Sequence, residues 1–142
     1  MAKLIESATT AELLNNPNVQ QVLDSAWADS LASDPVERHE EGGWIYQNTM
    51  TRGITTQRAK SGGQASIDLS QPSIVPGSVV VATFHTHPNP TSEGWQPGPS
   101  RDDIRSAQIL GVPCIIQADD GIYTAGPDSR RGGLSGSPGF PA

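Results

Sequence analysis

The stretch Ser78-Val79-Val80-Val81-Ala82-Thr83-Phe84-His85-Thr86-His87-Pro88 decides how this chain is read. Its residues before the histidines are rich in β-branched types, which favour a pleated backbone, so a strand is expected to run straight into His85. Side chains on a strand repeat every second residue, so His85 and His87 point the same way. Two imidazoles on one side can grip a single metal ion, and zinc favours His and carboxylate ligands in tetrahedral geometry. Twelve residues separate His87 from Ser100-Arg101-Asp102-Asp103, where Asp103 offers a third ligand. Three protein ligands leave one position open, which marks catalytic rather than structural zinc.

Outward from that strand, helical and strand patterns alternate. Val19, Val22, Leu23, Ala26, Trp27 and Leu31 recur at helical spacing between Asn18 and Ala32, with Asn16-Pro17-Asn18 as a start signal and Asp34-Pro35 as a stop. A short helical turn over Thr10–Leu14, capped by Thr10, precedes it. Gly43–Asn48 and Gly53–Arg58 read as a hairpin, Ser61-Gly62-Gly63 as a turn and Ala65–Leu69 as a third short strand. Pro88–Pro99 is a loop by composition. Helix resumes at Ser100 with a capping-box-like start, shows an apolar side at Ile104, Ala107, Ile109 and Leu110, and ends at Gly111. Val112–Ala118 and Gly121–Ala125 form a hairpin about Asp119-Asp120. After Gly126 the chain is rich in Gly, Pro and Ser, a segment expected to wrap the surface or to be mobile. The expected fold class is α/β. A curved mixed β-sheet is flanked by the N-terminal Asn18–Ala32 helix and by the helix that follows the His-x-His strand, in one domain over 1–126 with a tail over 127–142.

Composition narrows the function. At 142 residues the chain has the length for one domain with one real core. A formal net charge of −6 argues against nucleic acid or an anionic membrane as the main partner, because both need basic surface. The single cysteine, Cys114, excludes an intramolecular disulfide and a cysteine-built zinc cluster. No apolar run approaches a membrane span, and Met-Ala-Lys-Leu-Ile-Glu-Ser lacks the apolar centre of a secretory signal. A cytoplasmic protein is the expectation, with signal-less export if it serves as an effector.

His85-Thr86-His87-Pro88 followed by Ser100-x-x-Asp103, with Glu40-Glu41-Gly42-Gly43-Trp44-Ile45-Tyr46 upstream, resembles the JAMM (MPN+) metallopeptidases, which include deubiquitinases and their bacterial JAB-like relatives. The likeness covers roughly residues 37–126. The gap between His87 and Ser100 is longer than is usual in that family, and the extra residues fall in the Pro/Gly-rich Asn89–Pro99 loop. The resemblance implies a JAMM/cytidine-deaminase-like architecture and Zn2+ held by His85, His87 and Asp103. It further implies Glu40 as general base and Ser100 as a donor to the oxyanion of the tetrahedral intermediate. The substrate implied is a protein or peptide amide, or an isopeptide bond at the C-terminus of a ubiquitin-like protein.

Each residue also has an ordinary role open to it. Glu41 competes with Glu40: on a strand they face opposite sides, and the Glu-x-x-Gly register, counted back from Gly43, selects Glu40. Asp102 competes with Asp103 and reads as a solvated first-turn acid. Ser100 is a good helix N-cap whatever else it does. His39 reads as exposed, Trp44 as core, and Cys114 as a small buried hydrophobe. Trp95 either pins its loop to the body or lines a substrate groove. Arg130-Arg131-Gly132-Gly133 resembles the end of a ubiquitin-like protein and reads as a chance match or a cleavable site. Rival functions are a JAB-like toxin or effector domain using the same chemistry, a non-catalytic MPN-type scaffold, and a cysteine hydrolase built on Cys114 and His85.

Overall fold

The computed structural model describes residues 5–141; the calls that rest on residues 1–4 lie outside the described part. Helices α1 (Thr10–Leu14) and α2 (Pro17–Asp29) lead into β1 (Gly42–Asn48) and β2 (Ile54–Arg58). A long connection then reaches β3 (Ser78–His87), followed by α3 (Arg101–Leu110), β4 (Cys114–Ala118) and β5 (Gly121–Ala125). The five strands form one mixed sheet in the order β2-β1-β3-β4-β5, with β3 and β4 parallel and every other pair antiparallel. The α/β class follows directly. The parallel pair is joined through α3, so the end of β3, the start of α3 and the end of β4 lie together, where open α/β sheets commonly place ligands.

One face of the sheet is covered by α1 and α2. Leu13, Val19, Val22, Leu23 and Ala26 pack against Ile45, Val79, Val81, Phe84 and Ile115, all buried. Full burial of each such side chain contributes about 1.5–3 kcal/mol, so this layer carries most of the fold. The register between β1 and β3 slips once: Ile45 faces Ala82 and Tyr46 faces Val80, leaving Val81 as an extra residue. Val81 and Ala82 both enter the helix-covered core, while Val80 joins Trp44 and Tyr46 on the other face. This bulge resets the alternation, so that Thr83, His85 and His87 fall on the face away from α1 and α2.

The two glycines that open β1 are required by close approach. A Cβ on Gly42 would stand 2.4 Å from the Phe84 carbonyl oxygen, and one on Gly43 would stand 2.0 Å from that of Gln57. Both distances are below any tolerable contact. Glycine at these two positions lets β1 lie tight between β2 and β3 and brings Glu40 close to the histidine strand.

Several boundaries differ from the sequence reading. Thr9, not Thr10, caps α1 in a capping box with Glu12, and Thr10 is instead bonded to Asp128. Helix α2 stops at Asp29, because Ser30 turns its hydroxyl back to the Ala26 carbonyl and Leu31 takes a left-handed φ of 53°. Residues 65–69 are not a strand. They cross the open face of the sheet, where Leu69 packs by Trp44 and accepts a hydrogen bond from its indole. The alternating apolar residues of this segment serve a wall rather than a ladder.

Helix α3 begins at the Ser100 cap and ends at Gly111, but only Ala107 of its apolar side is buried. The segment after Gly126 is packed rather than loose. Leu134 enters the main core and Phe140 packs by Trp44 and Tyr46. Arg130, 2% exposed, donates to the carbonyls of Val80, Gly133, Ser137 and Gly139. Within the Arg-Arg-Gly-Gly element Arg130 is thus an internal anchor, while Arg131 and Gly132 are exposed.

Candidate metal centre

His85 and His87 end β3 on the face that the bulge selects, and Thr86 between them points the other way. The imidazole Nε2 atoms of His85 and His87 stand 3.1 Å apart. Asp103, in the first turn of α3, closes the triangle: its Oδ1 is 3.3 Å from His85 Nε2 and its Oδ2 is 3.2 Å from His87 Nε2. Ligands about 2.0–2.1 Å from a zinc ion at tetrahedral angles stand roughly 3.3 Å apart. The histidine pair and each histidine's facing Asp103 oxygen stand at about that spacing, a different carboxylate oxygen facing each ring.

Each donor is held from behind. His87 Nδ1 lies 3.1 Å from the Pro97 carbonyl oxygen. A carbonyl only accepts, so Nδ1 carries a proton, and Nε2 is the ring nitrogen turned toward the centre. His85 Nδ1 lies 3.6 Å from Cys114 Sγ on the neighbouring strand. Both residues are buried, at 4% exposure each, and the thiol sulfur sets the ring as the Pro97 carbonyl sets that of His87. Cys114 is buried as expected and lies beside His85, the residue with which the cysteine-hydrolase alternative paired it. Asp103 is fixed by a reciprocal capping box: the Ser100 N–H donates to Asp103 Oδ2 at 2.9 Å, and the Asp103 N–H donates to Ser100 Oγ at 3.0 Å. Asp102 is exposed at the start of α3 and takes no part in the triangle.

The electrostatics suit a cation. Burial would raise the Asp103 pKa, but hydrogen bonds from His85 and His87 and from the Ser100 N–H hold it well below the usual carboxylate range. Burial would lower that of His85, and its bonds to Asp103 and Cys114 more than reverse this. Metal ligands bind in their deprotonated form, so metal affinity at this site depends on pH.

Glu40 is buried at 5% exposure on the same face. Its carboxylate and the two histidine ring nitrogens lie within 4.8 Å of one another. Two sets of three thus share the histidine pair, one completed by Asp103 and one by Glu40. The Asp103 oxygens stand 3.2–3.3 Å from the histidine nitrogens, and Glu40 completes a second set whose atoms lie within 4.8 Å of one another. Burial raises its pKa above the ordinary range, only partly offset by the two histidines.

Glu41 faces the other way and is fully engaged. It accepts from Arg58 at 2.6 Å and from Ser61 at 2.5 Å, and its Oε2 lies 2.5 Å from His39 Nε2. Burial opposes its ionisation, yet these bonds from Ser61, Arg58 and His39 hold its pKa below normal. His39 is thus half-buried and paired, rather than the exposed histidine read from the sequence. A second chain of bonds locks the strands: the Glu41 N–H donates to Thr86 Oγ1 (3.0 Å), which lies 2.6 Å from Ser30 Oγ, whose hydroxyl donates to the Ala26 carbonyl. Because Ser30 spends its proton on Ala26, Thr86 is the donor between the two hydroxyls. The start of β1, the end of β3 and the end of α2 are thereby tied behind the metal face.

The centre opens into a cavity of about 700 Å3, walled by residues 65–70, by the loop carrying Trp95 and by α3. Trp95 is 40% exposed and lines this cavity. The loop is anchored at several points. Arg38 pairs with Glu93 at 3.3 Å, the Thr91 N–H donates to Asp119, and Asn89 and Gln64 bond each other across two walls. No family model, curated protein or solved structure matches this chain.

Proposed function

We propose that the chain is a zinc-dependent peptidase or isopeptidase of the JAMM type, hydrolysing an amide bond of a protein or peptide. The observation that carries the reading is the triangle of His85, His87 and Asp103, with separations of 3.1–3.3 Å on a cavity wall. A His/His/carboxylate set with room for a further ligand fits catalytic zinc, which supplies Lewis acidity and makes water nucleophilic near neutral pH. Glu40 takes a proton from the attacking water and delivers it to the departing amine. Ser100 donates its hydroxyl to the oxyanion that forms on the attacked carbonyl. Its capping bond uses an oxygen lone pair as acceptor, so the O–H remains free to donate. The β3–α3–β4 arrangement is consistent with the JAMM/cytidine-deaminase-like architecture, and a ubiquitin-like C-terminus is the substrate that likeness suggests.

The test is hydrolysis of quenched peptides and of ubiquitin-like fusions by zinc-loaded protein. A strong chelator is expected to abolish cleavage and added zinc to restore it, while a thiol alkylator leaves it intact. The alkylator arm matters because Cys114 touches His85, the pairing that a cysteine hydrolase would need. Loss of activity on alkylation with persistence under chelation would replace the metal reading with that one.

A further inference from the structure

Helix α3 withholds its apolar side from the core. Ile109 is 69% exposed and Leu110 only half-buried, although the sheet face beneath α3 is apolar. Ala107, Ile109 and Leu110 instead line the cavity at the metal centre, and Ile67 and Leu69 line it from the segment over residues 65–70. Trp95 completes this apolar lining. The charged residues of the cavity are Glu40, Asp68, Asp102 and Asp103, all acids, with no Lys or Arg among its described lining residues. A volume of about 700 Å3 is in the range of ligand-binding pockets.

We infer that this cavity is a side-chain subsite that selects a polypeptide carrying a bulky aliphatic or aromatic residue beside the scissile amide. The inference rests on the amide-hydrolase reading of the same site and, of the two substrate classes proposed for it, selects a peptide with a bulky side chain over a ubiquitin-like end in Gly-Gly. A Leu or Phe side chain covers the apolar wall of α3 and releases its water. A Gly at that position leaves the wall wet, and a Glu would lay its charge against an apolar wall that carries no Lys or Arg. Selection on this basis amounts to roughly ten- to a hundred-fold between Leu and Gly, with Glu poorer still.

The experiment uses zinc-loaded full-length protein and quenched peptides that differ only in the residues flanking the cleaved bond: Leu, Phe, Gly or Glu. The expected order in kcat/KM is Leu and Phe above Gly, and Gly above Glu. Ile109→Asp is expected to collapse the Leu-to-Gly ratio toward one, and Ile109→Lys to raise the Glu peptide relative to Leu. Because Ile109 is exposed, both variants keep the wild-type zinc content and melting temperature. Binding of the same peptides to zinc-loaded Glu40→Gln protein, measured by calorimetry, separates recognition from chemistry. Tighter binding of the Leu peptide with no cleavage by the wild type would overturn the hydrolase reading and leave the subsite standing. Equal binding of Leu, Gly and Glu peptides, or preferred cleavage after Gly-Gly, would overturn the subsite.

Discussion

Glu40→Gln is expected to retain the fold and the metal yet lose about 10²–10⁴-fold in hydrolysis, the usual contribution of a positioned general acid–base group. Gln is isosteric with Glu, so the buried volume is preserved and the cavity keeps its shape. The Asp103 triangle does not include Glu40, so metal affinity is expected to stay within a few-fold of the wild type. The pH profile supplies a second readout. Burial raises the Glu40 pKa, and a base works only when deprotonated, so activity rises with pH along an acid limb set by Glu40. That limb disappears in Glu40→Gln. Glu41→Gln behaves differently: it breaks the pairing with Arg58, Ser61 and His39 and acts on stability before chemistry. The stabilisation from Glu41 is present above its unfolded pKa and is lost as pH falls through its depressed folded value. Comparable hydrolysis by Glu40→Gln and the wild type would remove Glu40 from the mechanism.

Ser100→Gly is expected to slow hydrolysis by about 10²–10³-fold, the scale seen when one oxyanion donor is removed. Its structural cost is small. The bond from the residue-100 N–H to Asp103 Oδ2 is made by backbone and survives the substitution, so Asp103 keeps its aim. Glycine is a tolerable N-cap and costs a few tenths of a kcal/mol, whereas Ser100→Ala costs about 0.5–2 kcal/mol. A glycine variant with wild-type melting, wild-type zinc content and near-absent turnover would assign the hydroxyl to the reaction. Wild-type turnover in that variant would leave Ser100 as a helix cap alone.

The parts of this molecule readable in the sequence are those fixed by local chemistry. The β-branched run before His85 specifies a strand, and Ser100 and Gly111 bracket α3 because capping and left-handed closure are properties of those residues. The alternation at Glu40 and Glu41 separates a cavity-facing carboxylate from one tied to Arg58. What could not be read depends on contacts far apart in sequence. Ala65–Leu69 has strand alternation, but β2 offers it no partner in the folded chain, and it covers Trp44 instead. The apolar side of α3 suggests core packing, and only the placement of the cavity shows it to be a wall. The parallel pairing of β3 with β4, which sets Cys114 beside His85, has no signal in the strand itself. The Gly/Pro-rich tail hides Arg130, whose burial rests on carbonyls that residues 133–139 bring to it. The Val81 bulge, which aims the histidines, has no mark in a run of identical valines.

Metal uptake tests the central claim most directly. Protein purified without chelator, or incubated with zinc and dialysed, is expected to hold about one zinc per chain by elemental analysis. His87→Ala and Asp103→Ala are expected to lose it while unfolding as single domains, because open catalytic sites modify a fold that already exists. Glu40→Gln is expected to keep it. A wild-type protein that takes up no transition metal would contradict the account outright, and a Glu40→Gln protein as metal-free as Asp103→Ala would make Glu40 a ligand rather than the base.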